Sequence, residues 1–296
     1  MKVISIRQPW ASLIVEGYKE FEFRNWKTKY RGEILIHASL AVEKDNMKAF
    51  SKLNLECPTG VIIGKAVLVD CIEVSEKFES NLIKSNNLVY GRSKGRGGFA
   101  WKLSSAEKIE TIQATGQLGL WNYYTSNEIM KLMENIEYGW IDKYYNCYYE
   151  IDETFSEKYI LQSPSEVTNN KLGLCWDQVE LERYYFKNSG YNINTFFICH
   201  YDNNICPSHT FLVYYLNNNY YWFEHSWKKF RGIHKYSYLK DLLLDVKSKF
   251  IEYELNNKYN SDNLLLREYK RPKYKLSAIE FYKHCKKEDP INLNNI

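Results

Sequence analysis

The chain has 296 residues, 45% hydrophobic and 26% charged, with a formal net charge of +4. That is enough chain for two modest domains with cores of their own, and the balance excludes wholesale disorder. The longest apolar runs, such as residues 211–216 (FLVYYL), fall far short of a membrane span, and Arg7, Gln8 and Pro9 interrupt the stretch where the apolar core of a signal peptide would run. Seven cysteines with no CxxC spacing support neither a disulfide framework nor a structural zinc site, so a reduced, cytoplasmic protein without metal or organic cofactor is expected. Charge is unevenly placed. Residues 1–125 carry +5, residues 126–255 carry −5 and residues 256–296 carry +4, which points to different partners for different parts.

Along the chain, residues 3–15 predict a short strand entering a helix, with Pro9 near the helical start where its missing N–H costs little. Residues 34–38 and 61–69 predict buried strands rich in β-branched side chains, the second punctuated by Gly64. Residues 99–103 follow a glycine-rich loop, 91–98, as another strand, and short strands with many turns predict a small barrel. Helical spacing runs from 127 to 136, inside a stretch expected to act as linker. A second unit begins near Thr154. Residues 175–187 form an amphipathic helix through Val179, Leu181, Tyr184 and Tyr185. Strands follow at 194–200, 208–216 and 220–226, the last two flanking Asn217, Asn218 and Asn219, residues that tolerate the left-handed backbone of a tight hairpin. A further helix is predicted over 239–250. The expected organisation is α+β with two domains: 1–125, a linker 126–154, a helix-plus-antiparallel-sheet domain 155–255, and a basic, partly ordered tail 256–296.

The densest motif is G-x-K-x-x-E-x-R, from Gly17 through Lys19 and Glu22 to Arg24. Were Lys19 to Arg24 extended, Glu22 and Arg24 would share one face and Phe21 and Phe23 the other. Arg7, Lys19, Arg24 and Arg31 with Trp10 and Trp26 would then line a cleft able to stack a base and neutralise phosphate. The same residues also fit a structural role, with the charges paired and the tryptophans in a core. With the RQPWA start and the Tyr30-Arg31-Gly32 sequel, the motif resembles the ASCH domain family over roughly the first 125 residues. The resemblance implies a PUA-like β-barrel that binds RNA or a modified nucleoside. One branch looks like amidohydrolases of acetylated cytidine that use the motif lysine, and it carries a hydroxyl residue where this chain has Glu22. Lys19 and Glu22 are the leading site candidates of this domain.

In the second domain Cys175 opens a helix, where exposed N–H groups and the helix dipole favour thiolate and can stabilise an oxyanion. A thiolate nucleophile calls for a histidine, and the histidine for an orienting carboxylate. His209 begins one strand and Glu224 ends the next. With a two-residue loop, in which Leu216 pairs with Asn219 or Tyr215 with Asn218, the two share a sheet face; a three-residue loop would place His225 there instead. Cys57, Cys71, Cys147, Cys199, Cys206 and Cys285 have no such context, and His200, His234 and His284 read as structural or solvent-facing. Gly173-x-Cys175-Trp176 opening a helix, followed by the histidine and the acid, resembles the transglutaminase-like branch of papain-fold enzymes over roughly residues 155–255. The resemblance implies a Cys175 nucleophile, a His209 base then acid, and a Glu224 orienter at a place where the family commonly has Asp. Asn169 or Asn170 would then supply an oxyanion side chain.

These expectations make the protein a cysteine hydrolase or acyltransferase acting on a protein or peptide amide, with a front domain for RNA or a modified nucleoside. The alternatives are an RNA-binding protein with a degraded scaffold and a nucleoside amidohydrolase acting through Lys19 and Glu22.

Overall fold

The computed structural model describes residues 1–92, 98–200, 207–255 and 264–292. The chain divides into two compact units, Met1–Tyr123 and Tyr124–Ile296. The middle of the glycine-rich 91–98 loop, Cys206 and residues 256–263 and 293–296 of the tail lie outside the described residues. No helix among the described residues is long and apolar enough to cross a membrane.

The first unit runs β1 (Lys2–Gln8), α1 (Trp10–Val15), β2 (Phe21–Arg24), β3 (Gly32–Val42), α2 (Lys44–Ala49), β4 (Val61–Glu73), α3 (Glu76–Ser85), α4 (Asn87–Tyr90), β5 (Phe99–Gln113) and β6 (Leu120–Asn122). The strands form one six-stranded sheet in the order β2-β5-β4-β3-β1-β6, parallel only between β1 and β3. Every residue of α1 is buried against this sheet. The approach is close enough that a Cβ at Gly64 would meet Val15 Cγ1 at 2.4 Å and the Glu107 carbonyl at 2.5 Å, which explains the glycine in an otherwise bulky strand. The helix stops at Gly17, whose φ of +79° turns the chain while Tyr18 and Lys19 donate their N–H groups to the Leu13 carbonyl. That stop is what delivers the GxKxxE segment into β2. The expected barrel takes the form of a curled sheet. Its ends, β2 and β6, share no ladder, but the Arg24 guanidinium on β2 donates to the Ser5 carbonyl on β1 at 2.9 Å.

The second unit runs α5 (Ser126–Met133), β7 (Trp140–Ile141), β8 (Cys147–Tyr148), α6 (Phe155–Lys158), α7 (Pro164–Asn170), α8 (Cys175–Asn188), β9 (Asn192–His200), β10 (Ser208–Leu216), β11 (Asn219–Glu224), β12 (Gly232–Tyr236), α9 (Leu239–Tyr253), β13 (Leu264–Glu268) and α10 (Ala278–Cys285). An antiparallel sheet, β12-β11-β10-β9-β13, separates two cores. Alternation along β9 assigns its residues: Phe197 and Cys199 join Trp176, Val179 and Phe281 on one side, while Phe196 and Ile198 join Trp222, Leu243 and Phe250 on the other.

Two sequence expectations change here. The 126–154 stretch is not a bare linker, because Thr125 and Glu128 form a capping box at the start of α5 and bury Ile129 and Met133 one turn apart. The basic tail is not merely appended either. Its charges hide an apolar period, so that β13 completes the sheet edge beside β9 and α10 buries Ala278, Phe281 and Cys285.

Candidate functional site

Cys175 begins α8, and the local sequence fixes that start. The Asp177 carboxylate accepts from the Leu174 N–H at 3.0 Å, the Gln162 N–H at 2.8 Å and the Tyr159 hydroxyl at 3.0 Å. Burial outweighs those bonds and raises Asp177 to about 7. The hairpin of β10 and β11 has the two-residue loop, since Leu216 pairs with Asn219, and Asn217 and Asn218 both take positive φ. His209 and Glu224 therefore share a face diagonally, and His209 Nε2 lies 2.8 Å from Glu224 Oε2. His225 is engaged elsewhere, its Nδ1 2.7 Å from Gln178 Oε1, and burial lowers it to about 4.

Around His209 the contacts are specific. Burial alone would lower its proton affinity, but the Glu224 carboxylate and the neighbouring Cys175 thiol together raise it well above the usual imidazole value. With Nε2 committed to Glu224, Nδ1 has no hydrogen-bond partner among the described residues apart from the neighbouring Cys175 thiol. Burial would raise Glu224, but His209 and the donors on its other oxygen hold it below the ordinary carboxylate value. Those donors are the Trp227 N–H at 2.8 Å and the Ser226 hydroxyl at 2.9 Å, both on Oε1. The Trp227 ring lies flat on the imidazole, centroids 3.6 Å apart and planes 11° from parallel, and its indole N–H donates to Glu254 at 2.7 Å. Glu182, buried two turns beyond Cys175, is raised well above the ordinary carboxylate value by burial first and then by the charge of Glu224.

Cys175 opens onto a cavity of about 420 Å³ shared with Tyr138, Leu174, Trp176, Ser208 and Glu254. Tyr138 enters because its neighbour Glu137 bridges Leu172 and accepts from the Gly173 N–H at 3.1 Å. Burial first, then Cys175 by charge and hydrogen bond, raise the Tyr138 phenol. The Asn169 and Asn170 expectation is corrected: neither lines this cavity, and Asn170 donates to Gln162 Oε1 at 2.8 Å instead. Of the other cysteines, burial pushes the Cys285 and Cys57 thiols up, away from nucleophilic character.

A second cavity, about 530 Å³, lies in the first unit and is lined by Arg7, Trp10, Lys19, Glu22 and Arg24 among others. Lys19 is 2% exposed, with Nζ 2.6 Å from Glu22 Oε2, and it also donates to the Phe21 carbonyl. Glu22 Oε1 receives Arg24 at 3.2 Å. Burial lowers Lys19 in spite of Glu22, whereas burial of Glu22 is outweighed by Lys19 and Arg24, which keep it low. Trp10 donates its indole N–H to Glu43 at 2.9 Å and faces Lys19 Nζ at 5.9 Å.

The ASCH domain family model matches residues 4–114. The first unit contains an ASCH domain. Activating signal cointegrator 1 of Homo sapiens is 32% identical over 83 residues, and that of Mus musculus is 33% identical over 81; each alignment covers 23% of this chain. The chain spans only 14% of the length of these relatives. The crystal structure of ASCH from Zymomonas mobilis is 19% identical, with a TM-score of 0.30, covering 45% of this chain and 93% of its own.

Two expected residues of the ASCH domain stay outside its cavity. Trp26 packs edge-on against Trp101 with centroids 4.6 Å apart, and its carbonyl accepts from the Trp101 indole. Arg31 is held by Asp70 at 3.0 Å and by the Thr28 and Tyr30 carbonyls. Sequence spacing placed both near the motif, but long side chains on the turn before β3 have nearer partners. Asn25, Ser39, Arg92 and Gln117 line the cavity and were not anticipated, because β3 and two separate loops deliver all but Asn25, which directly follows the motif. In the second unit Trp227 and Tyr138 were missed. Trp227 was legible as the third residue after Glu224, within reach of its carboxylate, whereas nothing local marks Tyr138.

Proposed function

We propose that this protein is a cysteine-dependent amide hydrolase or acyltransferase whose second unit is transglutaminase-like, and that its ASCH domain binds RNA or a modified nucleoside. The observation that carries the first part is His209, held by Glu224 at 2.8 Å through one nitrogen while Cys175 acts on it from the start of α8. In this reading the Cys175 proton passes to His209, and the sulfur attacks the carbonyl carbon of the substrate. Charge then develops on the carbonyl oxygen near the α8 N–H groups and the Tyr138 hydroxyl. As the tetrahedral adduct collapses, His209 gives its proton to the departing amine. Glu224 keeps the ring oriented and stabilises the imidazolium without taking its proton. Trp227 shields the His209–Glu224 bond from water and stacks on the charged ring.

For the ASCH domain, the cavity gathers Arg7, Lys19, Arg24 and Arg92 around Glu22 and Glu43, a cationic surplus suited to phosphate, with Trp10 as an aromatic wall. A nucleoside amidohydrolase is a second reading, favoured by the lowered Lys19 beside Glu22. It requires turnover of acylated cytidine that Lys19→Ala abolishes.

The main test is trapping. Iodoacetamide and a panel of acyl electrophiles should modify Cys175 selectively at neutral pH, and Cys175→Ser or His209→Ala should remove that selectivity. Uniformly slow modification of all the thiols would leave only a binding protein.

A further inference from the structure

The cavity at Cys175 carries information about what is bound there. Its walls include Ile151 in the loop after β8, Phe155 on α6, Leu174 and Trp176 at the head of α8, and Ile279 and Tyr282 on α10. Charged groups are sparse. Glu254 is already engaged by the Trp227 indole, and Lys283 sits exposed on α10. Ile151 and Ile279 are 55% and 56% exposed, so two branched aliphatic side chains face open space beside a nucleophile candidate. Apolar area left uncovered in a concave site gains free energy when an apolar group fills it. The volume of about 420 Å³ is that of a small-ligand pocket and well above what a methyl group needs.

We propose that the acyl group carried on Cys175 has an apolar chain, aliphatic or aromatic and several carbons long, which lies between α10 and the segment from Ile151 to Phe155. This inference rests on the Cys175 reading above and narrows its substrate. The thiol sulfur bonds to the acyl carbon and the bond from that carbon to the leaving nitrogen or oxygen breaks. The leaving group takes the proton that His209 received from the thiol. Water then adds to the thioester, giving one proton to the sulfur through His209 and releasing the carboxylic acid. The apolar chain stays in the cavity through both steps, which orients the carbonyl toward Tyr138 and the α8 N–H groups.

The test uses the full chain and p-nitrophenyl esters of acetate, hexanoate, 3-phenylpropionate and succinate, with acylation of Cys175 read by mass spectrometry and p-nitrophenolate release. Each buried methylene is expected to raise kcat/KM roughly 4-fold, so hexanoyl should exceed acetyl by on the order of 10²-fold. Succinyl should fall well below hexanoyl. Ile279→Asp should shrink the hexanoyl-to-acetyl ratio, a quantity measured within one preparation and independent of how much protein is active. A succinyl rate equal to or above hexanoyl, or a ratio near one while Cys175 is still acylated, overturns the apolar substrate and leaves the nucleophile standing. No acylation by any ester, together with no preferential iodoacetamide capture at Cys175, overturns the nucleophile and this inference with it.

Discussion

Each unit buries a cation against a glutamate, and the two pairs are tuned in opposite directions. In the ASCH domain Lys19 shares Glu22 with Arg24, and burial lowers the lysine. In the second unit the other donors to Glu224, the Trp227 N–H and the Ser226 hydroxyl, are neutral, a thiol lies near His209, and the proton affinity of the imidazole rises. Two cations competing for one carboxylate leave positive charge to offer a ligand. A single imidazole between a carboxylate and a thiol has a proton to exchange. The residue types are alike, and the count of cationic partners separates the two; under the proposed function the first site attracts an anion and the second moves a proton.

The largest expected effect breaks the second pair. Glu224→Gln keeps the volume but removes the charge that raises His209, and acyl transfer from the best ester should fall by roughly 10²–10⁴-fold in kcat/KM. Retention of activity within a few-fold would mean that His209 needs no orienting acid, and the contrast between the units would lose its chemical meaning.

Stability against pH sharpens the same contrast, because the signs differ. His209 is raised in the folded state, so its contribution is complete below about 6.5 and is lost as pH rises through the folded value. Glu224 is lowered, so its contribution is present above about 4.3 and is lost as pH falls through its folded value. Denaturation should therefore show Glu224→Gln to be less stable by about 3–5 kcal/mol between those limits, with the gap narrowing toward alkaline pH. Lys19 behaves the other way. Its folded value is lowered, so wild type should gain stability relative to Lys19→Met as pH rises through that value toward about 10.4. Parallel slopes in the two variants would show that the pairs are not differently tuned.

Tyr138→Phe gives a somewhat smaller effect that isolates the oxyanion. Acylation by esters should fall by roughly 10²-fold, since one donor to the developing charge is lost. Alkylation of Cys175 by iodoacetamide forms no oxyanion and should not slow in parallel. Equal losses in both reactions would assign Tyr138 to positioning the thiol.

How far these sites could be read from sequence depends on whether their parts are local. Gly17, Lys19, Glu22 and Arg24 lie within eight positions, and a helix stop followed by an extended strand is enough to assemble them. The His209–Glu224 pair was legible for a similar reason, since a two-residue asparagine loop fixes the register of β10 on β11. Trp26 and Arg31 misled because proximity in sequence says nothing about which partner a long side chain reaches first. Tyr138 and the α10 wall of the cavity were hidden because their roles come from packing across more than 30 and more than 100 positions of chain, respectively. Residues 264–292 were misjudged for a related reason: lysines and arginines spread through 267–287 dominate the composition of the stretch, while the buried period of Ala278, Phe281 and Cys285 on α10 is only three residues deep.

The smallest predicted effect concerns the anion-seeking side of the comparison. Arg7 is 63% exposed in its side chain and stands 3.8 Å from Glu43, a contact too long and too wet to hold the domain together. Arg7→Ala should therefore leave the unfolding transition in place. Its guanidinium nevertheless lines the cavity of the ASCH domain, where it can reach a phosphate that the buried Lys19 cannot meet from outside. Binding of a single-stranded oligonucleotide should weaken by only a few-fold at physiological salt, but the slope of log K against log salt should fall by about 0.7, the share of one released counterion. A slope unchanged by Arg7→Ala and by Arg24→Ala alike would mean that the cavity reads its ligand without touching phosphate, and would favour a free nucleoside over RNA as the occupant.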